Sequence, residues 1–352
     1  MDGQVNTIRD VAARAGCSVA TVSRVATGSG PVSTPLRQKV VAAALELGFS
    51  LQRDGRATRR PVLGVLLPSL TNPVFAAALA GIEHSARANG LSIIMGQSNY
   101  DEAQEQDVVR ALVAERPTGL ILTVCQPRTS AALESVARQG LPAVTIYNED
   151  VPEAIGAVTV DNRRAMQDIT GELIELGHRV ILFVGGRFAS SDRAACRYRG
   201  YCDAVSAAGG VPLPPVEVDF IDATQDIDLT HALATHGPSA IVVSNDLLAV
   251  TVIAALRRLG LSVPHDMSVT GFDGIDLARH ISPELTTIVQ PSHTMGVLAA
   301  ALVLDIAAGR RAPQHLRADF VLSRGGTIAP ARETCSPLVA PPALLETGKM
   351  LS

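Results

Sequence analysis

The stretch IRDVAARAGCSVATVSRV, residues 8–25, contains two short helical patterns separated by a glycine. Before the first pattern, Thr7 is placed to cap a helix, and Asp10 follows three residues later, as in a capping box. Apolar residues then recur at helical spacing until Gly16 ends the pattern. Ser18 is placed to cap the second helix. The stretch therefore predicts helix, turn, helix.

A third helix is predicted after the glycine-rich loop that follows. Thr34 is expected at the N-cap and Pro35 at the first helical position, after which apolar residues continue at helical spacing until Gly48. Residues 1–50 should therefore form a three-helix headpiece. Residues 51–61, LQRDGRATRRP, are polar, basic and interrupted by glycine, which predicts a linker.

Charge is distributed unevenly along the chain. Residues 1–60 contain nine Lys and Arg against four Asp and Glu, a balance of +5. The net charge of the chain is -4, so the remaining residues carry -9. A small basic module joined to an acidic body indicates a nucleic-acid-binding unit attached to a second unit with another task.

From residue 62 onward, apolar runs alternate with helical stretches, which predicts an α/β body. The expected strands are 62–67, 91–96, 119–124, 143–146, 180–185, 240–244 and 268–272. The expected helices are near 74–89, 101–115, 129–139, 162–176, 192–208 and 246–259. Repeated strand–helix–strand units favour two doubly wound parallel sheets, with a ligand cleft between them at the carboxyl ends of the strands.

Several classes of protein are disfavoured by composition and motifs. No stretch reaches the roughly 18 consecutive apolar residues of a membrane helix, and the N-terminal residues lack the features of a signal peptide, so a cytoplasmic protein is expected. The five cysteines have no metal-type pairing, so they should be reduced and mostly structural, with no metal bound. The sequence lacks GxGxxG after a strand, a P-loop, GxSxG and HExxH, so neither catalysis nor a cofactor is expected.

Six motifs, in the same order along both modules, resemble the LacI/GalR family of bacterial repressors. They are residues 8–25, 32–49, 71–75, 175–186, 244–250 and 271–288. The resemblance implies a transcription regulator, most simply a repressor, with a helix-turn-helix headpiece and a two-lobed, periplasmic-binding-protein-like effector domain. It also implies a homodimer, or alternatively a tetramer, on a pseudo-palindromic double-stranded DNA operator, with a sugar or sugar acid as effector and no membrane partner.

The expected lobes divide the body discontinuously. The first lobe takes about 62–160 and 289–320, and the second about 161–288 and 321–330. The tail, 331–352, is rich in Pro and Ala and should be poorly ordered.

By resemblance, the second helix of the headpiece enters the major groove of DNA. Val19, Ala20 and Arg24 hold the positions that usually meet base edges, where Arg24 can donate two hydrogen bonds to guanine and the other two offer apolar contact. Hydroxyl side chains around them are expected to bind phosphates, with simple helix capping as the alternative for Thr7, Ser18 and Thr34. The expected DNA-binding residues are Thr7, Ser18, Val19, Ala20, Thr21, Ser23, Arg24, Ser33, Arg53 and Arg56.

The linker departs from the family pattern, in which Ala-Arg-x-Leu forms a hinge helix with a leucine wedge. Arg56 matches the arginine, but Gly55 replaces the alanine and Thr58 replaces the leucine. Glycine costs roughly 1 kcal/mol in a helix relative to alanine, and threonine is a poor wedge, which weakens the case for DNA kinking. Arg53 and Arg56, with Arg59 and Arg60, still predict strongly salt-dependent DNA binding.

The resemblance also implies a set of cleft residues whose chemistry suits a polar ligand. Phenyl faces can stack on a sugar ring, while Arg, Asn and Asp side chains can bind hydroxyls or carboxylates. A buried arginine beside Asp273 would also compensate its charge. The expected effector-binding residues are Asn72, Phe75, Arg193, Arg197, Phe220, Asn245 and Asp273.

Other roles stay open for some polar and aromatic residues. Asn72 could simply cap a helix, and the two phenylalanines of the set could belong to the core. Asp161 and Asp246 are expected to be N-caps first and ligand contacts second, and His178 to be structural. Arg193 and Arg187 slightly favour an anionic effector.

Two alternative functions fit a two-lobed α/β body. One is a periplasmic-type sugar-binding protein with no role on DNA, and the other is an α/β enzyme. The basic helix-turn-helix disfavours the first, and the missing catalytic motifs disfavour the second. In the favoured mechanism, ligand selects one arrangement of the lobes and so changes the spacing of the headpieces, with release and recruitment of DNA both open.

Overall fold

The computed structural model describes residues 7–27, 29–49, 51, 60–220 and 226–332. By its internal contacts the chain divides into two compact units, Met1–Arg60 and Pro61–Ser352. Most of the linker, with Arg53 and Arg56, and the tail from residue 333 lie outside the described residues.

The described residues of the first unit form three helices: α1 (Ile8–Ala15), α2 (Val19–Thr27) and α3 (Thr34–Glu46). Before α1, the backbone N–H and hydroxyl of Thr7 both donate to the Asp10 carboxylate at 2.7 Å. Gly16 ends α1 in the left-handed conformation, with φ 63°, where glycine carries no Cβ penalty. The helices enclose a small aliphatic core of Val11, Ala12, Ala15, Val22, Val40, Ala43 and Ala44.

The start of α3 differs by one residue from the prediction. Thr34 is already helical, so the predicted cap is wrong, and Ser33 occupies the N-cap position with extended backbone. Proline is tolerated throughout the first turn, because the N–H groups there have no acceptor within the helix. For that reason the Thr34-Pro35 pair alone could not fix the first helical residue.

The second unit is an α/β body with the following elements in chain order. They are β1 (Val62–Leu67), α4 (Pro73–Ala88), β2 (Ser92–Gln97), α5 (Glu102–Ala114), β3 (Gly119–Leu122), α6 (Ala131–Arg138), β4 (Ala143–Ile146), β5 (Gly156–Thr159), α7 (Asn162–Glu175), β6 (Ile181–Gly186), α8 (Asp192–Ala207), β7 (Val216–Val218), α9 (Thr230–His236), β8 (Ala240–Val243), α10 (Asp246–Arg258), β9 (Ser268–Asp273), α11 (Asp276–His280), β10 (Thr286–Val289), α12 (Ser292–Ala307), β11 (His315–Arg317) and β12 (Val321–Ser323).

In the part of the body that the structure describes, two six-stranded sheets form the cores of the two lobes, which is the architecture that the strand–helix alternation predicts. The first sheet has the order β11-β5-β4-β3-β1-β2, with parallel pairing throughout. The second has the order β12-β10-β9-β8-β6-β7 and is parallel except for β12, which runs antiparallel to β10. Central strands such as β3, β6 and β8 are buried along their whole length, as expected for sheets covered by helices on both faces.

The chain passes between the lobes after β5, after β10 and again after β11. On its return to the first lobe, α12 packs closely on α4. Glycine permits this approach, since a Cβ at Gly296 would lie 2.1 Å from the carbonyl oxygen of Ala78. The three connections place the carboxyl ends of both sheets on either side of one cleft.

The predicted long elements agree with the structure to within about two residues at most ends, the uncertainty usual for element boundaries. Strands β1 and β4 have the predicted bounds. The short edge strands β7, β11 and β12 were not predicted, because three half-exposed residues carry little periodicity. Within the described residues, no helix combines the length and the apolar character that crossing a membrane would require.

Candidate functional site

The side chains predicted to meet base edges lie on the exposed surface of α2. Val19, Ala20 and Arg24 are exposed, as is Ser23, while Thr21 is half-buried. Val19 keeps 41% of its surface exposed, whereas Val22, one turn further on, is fully buried in the headpiece core. The helix thus packs through one face and leaves the predicted reading face open.

The polar residues around α2 are caps as well as predicted phosphate contacts. Ser18 Oγ accepts the Thr21 N–H at 3.2 Å and lies 2.9 Å from the Thr21 hydroxyl oxygen. Thr7 has the capping contacts to Asp10 described above. Ser33 is exposed and makes no capping hydrogen bond through its side chain. Capping is therefore present at Ser18 and Thr7, and contact with phosphate stays a prediction.

A cleft of about 670 Å³, counted out to its open mouth, lies between the lobes. Its walls are built from residues at or just after the ends of strands in both sheets, including β1, β2, β4, β6, β8, β9 and β10. All the residues predicted for effector binding line it: Asn72, Phe75, Arg193, Arg197, Phe220, Asn245 and Asp273. The structure thus brings together residues that are up to 201 positions apart in the chain.

Arg197 is the central cation of this cleft, with 6% of its surface exposed. Its Nε donates to Asn162 Oδ1 at 2.9 Å, and its Nη1 donates to the carbonyl oxygen of Ser244. Nη1 also lies 3.5 Å from Asp273 Oδ1, and the guanidinium lies 3.6 Å from the centre of the Phe272 ring. Burial lowers the pKa of Arg197 from its usual value, although the neighbouring Asp273 opposes that shift. The guanidinium is therefore held rigidly in the cleft wall.

Asp273 is the matching anion, at the carboxyl end of β9. Gln290 Nε2 donates to its Oδ1 at 2.7 Å. Burial raises the pKa of Asp273 to about 6, even though Arg197 and the hydrogen bond from Gln290 act in the opposite direction. Its backbone φ of 118° is one that few side chains adopt, so the local chain is bent to aim this carboxylate. The result is a buried acceptor beside a buried cationic donor.

Asp246 plays a different role from the predicted one. It is the first residue of α10, and the N-cap is Asn245, whose side chain accepts the Leu248 N–H at 2.9 Å. Asp246 is wholly buried and accepts the backbone N–H groups of Gly274 and Ile275 at 2.7 and 2.9 Å. Burial and the nearby Asp273 raise its pKa to about 8. The tertiary fold therefore uses Asp246 to fix the turn after β9.

Asn72 and Asn245 both cap helices and line the cleft. Asn72 Oδ1 accepts the Val74 N–H at 3.2 Å at the start of α4. The predicted cap Asp161 is also confirmed, since its side chain accepts the Arg164 N–H at the start of α7. Capping occupies a carboxamide oxygen of each asparagine and so orients the rest of the group.

Aromatic rings form two walls of the cleft. Phe75 is 4% exposed and meets Tyr147 edge to face at 5.6 Å between ring centres. Tyr100 and Phe220, both half-buried, have ring centres 5.1 Å apart. Burial raises the pKa of Tyr100 and Tyr147 above the ordinary value, which disfavours their charged forms further. Phe75 thus belongs to the core and to the cleft wall, two roles that the sequence presented as alternatives.

Tyr100, Tyr147 and Gln290 line the cleft but were not among the predicted residues. Each follows the carboxyl end of a strand, which is the signal that could have found them. The two tyrosines have φ values of 58° and 73°, in the left-handed region. No local pattern distinguishes such a residue from an ordinary turn residue.

His178 is structural, as predicted. Its side chain is buried, with Nδ1 2.8 Å from Ser239 Oγ and Nε2 3.0 Å from the carbonyl oxygen of Ala329. Burial lowers the pKa of the imidazole, which favours the neutral form. Cys17, Cys125, Cys196 and Cys202 are free thiols, and within the described residues no three His, Cys, Asp or Glu side chains gather into a metal-binding group.

Comparison with known proteins matches both modules. The model of the bacterial regulatory proteins of the lacI family matches residues 7–51, and that of the periplasmic binding protein-like domain matches residues 170–327. The chain is 34% identical over 328 residues to the HTH-type transcriptional regulator GntR of Escherichia coli (strain K12), covering 91% of this chain and 98% of that protein.

Solved structures match over both modules as well. A transcriptional regulator CelR–cellobiose complex has a TM-score of 0.68 and 26% identity, covering 92% of this chain and 99% of CelR. The lac repressor dimer bound to operator and the anti-inducer ONPF has a TM-score of 0.66 and 26% identity, covering 93% and 100%. The first of these holds a sugar, and the second holds DNA.

Proposed function

Because the chain belongs to the lacI family of bacterial regulatory proteins and is a DNA-binding transcriptional regulator, we propose that it is a cytoplasmic, homodimeric repressor controlled by a polyhydroxylated metabolite. The metabolite binds in the cleft between the lobes. The headpiece of residues 1–50 binds the operator, and residues 51–61 connect it to the two-lobed body. Catalysis is not part of this function.

One observation carries the choice of ligand class. The cleft combines aromatic walls with a buried Arg197–Asp273 pair, so one side of a ligand can stack while the other exchanges hydrogen bonds with charged groups. Sugars have this amphipathic character, with C–H faces and a rim of hydroxyls. The cellobiose bound by CelR supports the same class for this chain.

The cleft also suggests how ligand affects the headpiece. Its walls come from both lobes, so a bound molecule contacts both and favours their closed arrangement by its differential affinity. The linker enters the first lobe at β1. A change in lobe arrangement therefore reaches the linker and alters the spacing of the two headpieces on a pseudo-palindromic operator.

The test has two parts. Duplexes that the full-length protein selects from random DNA give an operator, and a thermal-shift screen of pentoses, hexoses, disaccharides and sugar acids finds ligands, because a ligand of the native state raises its melting temperature. A stabilising ligand is then added to the operator complex, and DNA affinity is measured by fluorescence anisotropy.

We expect at least one polyhydroxylated compound to raise the melting temperature and to change operator affinity at least five-fold. Arg164→Met is a control outside the cleft: this exposed arginine of α7 pairs with Asp168 at 2.8 Å, and its loss should leave both responses unchanged. A compound of a different class, such as a nucleobase, that gives both responses while all sugars fail would contradict the proposal.

A further inference from the structure

Arg193 lies near the start of α8, on the wall of the cleft, with 6% of its surface exposed. Its Nη1 donates to the carbonyl oxygen of Val124 at 3.1 Å and to Asp192 Oδ1 at 2.9 Å. Its Nη2 is buried and has no hydrogen-bond partner among the described residues. The guanidinium is therefore fixed through Nη1, while Nη2 is available as a donor.

An unpaired buried donor is costly, because it has lost its hydrogen bonds to water without replacement. A guanidinium nitrogen is a stronger donor than a neutral amide, so the loss is larger for Arg193 than for most groups. Gln290 on the cleft wall shows the complementary feature, since its Oε1 is buried and receives no hydrogen bond from the described residues. The cleft thus offers one unsatisfied cationic donor and one unsatisfied acceptor.

The hydrogen bonds of Arg193 Nη1 lie at a junction between the lobes. Val124 follows β3 of the first lobe, whereas Arg193 and Asp192 belong to the second. Across the same junction, Asn148 Nδ2 donates to Asp192 Oδ1 at 2.8 Å, and the Asp192 N–H donates to the carbonyl oxygen of Cys125 at 3.0 Å. A ligand group bound to Arg193 would therefore act directly on a residue that joins the two lobes.

We infer that the effector carries a carboxylate, which Arg193 receives through Nη2, while the hydroxyls of the ligand meet Gln290 and Asp273. This inference rests on the proposed function and narrows its ligand class to hydroxylated acids. The hydrogen bond from Nη2 to a carboxylate joins two charged groups, which makes it stronger than the bond from the same donor to a neutral hydroxyl. It also couples the charge of the ligand to closure of the lobes.

The surroundings favour a single negative charge over the double charge of a phosphate ester. The carboxylate of Asp192 already contacts Nη1 of Arg193, and Asp273 lies on the same cleft wall. Arg187, a further cation at the cleft, is largely exposed and lies 3.3 Å from Asp219 through its Nη1. A carboxylate is the oxyanion that this charge distribution accommodates best.

Calorimetric titration of the full-length protein with matched ligands tests the inference. The pairs are glucose with glucuronate, galactose with galacturonate, and sorbitol with gluconate, each differing mainly in one oxidised carbon, and glucose 6-phosphate is added as a phosphate ester. We expect an acid to bind at least ten-fold more tightly than its neutral partner. Arg193→Gln should remove that preference: the affinity for the acid should fall at least ten-fold, and the affinity for the neutral partner less than three-fold.

Two further variants separate recognition from folding. Arg193→Lys keeps the charge without the planar guanidinium and should retain part of the preference for the acid. Arg164→Met, which removes an exposed arginine of α7 outside the cleft, is the control and should keep the preference entirely. The melting temperature of each variant without ligand measures how much the Arg193 side chain contributes to the stability of the fold. Equal weakening of acid and neutral compound by Arg193→Gln would show that the residue only joins the lobes, and the inference would be wrong.

The remaining outcomes are also decisive. A neutral sugar that binds as tightly as its acid would overturn the inference that the effector carries a carboxylate, and it would leave the proposed function intact. Tighter binding of glucose 6-phosphate than of any acid would assign the oxyanion to a phosphate instead. Failure of every acid, while a neutral compound from the thermal-shift screen binds, would also overturn the inference and leave the proposed function intact.

Discussion

The headpiece and the cleft are built on opposite principles. The predicted reading face of the headpiece lies on one helix of nine residues, α2, and its side chains are exposed. The cleft gathers residues from Asn72 to Gln290, nearly all of them buried or half-buried. An exposed face takes its character from its own side chains, whereas a buried site takes it from the neighbours that the fold supplies.

Two aspartates show the difference. Asp10 in the headpiece accepts hydrogen bonds from Thr7, and these lower the pKa of its carboxyl from the ordinary value. Asp273 in the cleft also accepts a hydrogen bond and faces a cation, yet burial raises its pKa to about 6. The same side chain thus has opposite electrostatic behaviour, because loss of water outweighs the partners only in the cleft.

The largest effect is expected from breaking the central ion pair of the cleft. Arg197→Met leaves Asp273 buried without its cation, which should lower the free energy of unfolding by about 3–5 kcal/mol and abolish the effector response. The headpiece is a separate compact unit, so operator binding should persist below the melting temperature of the variant. Denaturant unfolding and ligand titration measure the two effects, and a variant that still responds to effector would remove Arg197 from the site.

A smaller effect, specific to pH, is expected from Asp273→Asn. Asparagine also tolerates the positive φ at this position, so the backbone should survive. In the wild type the folded-state pKa is about 6 against 3.8 for the ordinary group, so the native state binds the extra proton between these values. At 1.36 kcal/mol per pKa unit, the wild type should lose about 3 kcal/mol of stability relative to the variant as pH rises from below 4 to above 6.

Denaturant titrations of both proteins at pH 4, 5, 6 and 7.5 measure that difference. Asp246 also has a raised pKa, and burial, the larger cause of that shift, is the same in both proteins, so most of its contribution cancels. A difference that stays constant with pH would mean that Asp273 is ionised throughout this range.

Arg24→Ala is the corresponding substitution in the headpiece, where it should remove a predicted contact with a base. Loss of a bidentate contact to guanine should cost about 1–3 kcal/mol of discrimination between operator and random duplex, with ligand binding in the cleft unchanged. Arg14→Ala is the control, because that guanidinium lies 2.7 Å from the Glu46 carboxylate. Anisotropy titrations on both duplexes measure the ratio, and an equal loss on each duplex would make Arg24 a phosphate contact.

Substitution of two linker arginines should have the smallest effect on operator affinity at a fixed salt concentration. Arg53→Gln combined with Arg56→Gln should flatten the plot of log affinity against log salt by about 2, since each phosphate contact contributes about 0.9 to the slope. Affinity for operator and random duplex should fall in parallel. An unchanged slope would show that these two arginines do not contact the DNA backbone.

Prediction from sequence succeeded where the residues that determine a feature lie within a few positions of one another. Thr7 with Asp10, Gly16 and Ser18 define the ends of α1 and the start of α2 through contacts at most five positions apart. The apolar run of β1 likewise marks a buried strand without reference to the rest of the chain. Such features need only local backbone geometry and burial of one face.

Prediction failed where two distant elements decide the role of a residue. Asp246 has the sequence position of a helix start, but its carboxylate binds the backbone after β9, 28 and 29 positions away. Tyr100 and Gln290 meet in one cleft only because β2 and β10 end on facing edges of different sheets. Neither pairing leaves a local trace in the sequence.

The sequence by itself determined the three-helix headpiece, the alternating α/β body and membership of the family, because helix caps, periodicity and ordered motifs are properties of neighbouring residues. Only the tertiary structure decided which side chains share the cleft and that Asp246 fixes a turn. It also decided that Arg193 keeps one buried donor without a partner among the described residues. Strand order and lobe closure bring these groups together and remove them from water. Their charges and hydrogen bonds are therefore consequences of the fold, not of the local sequence.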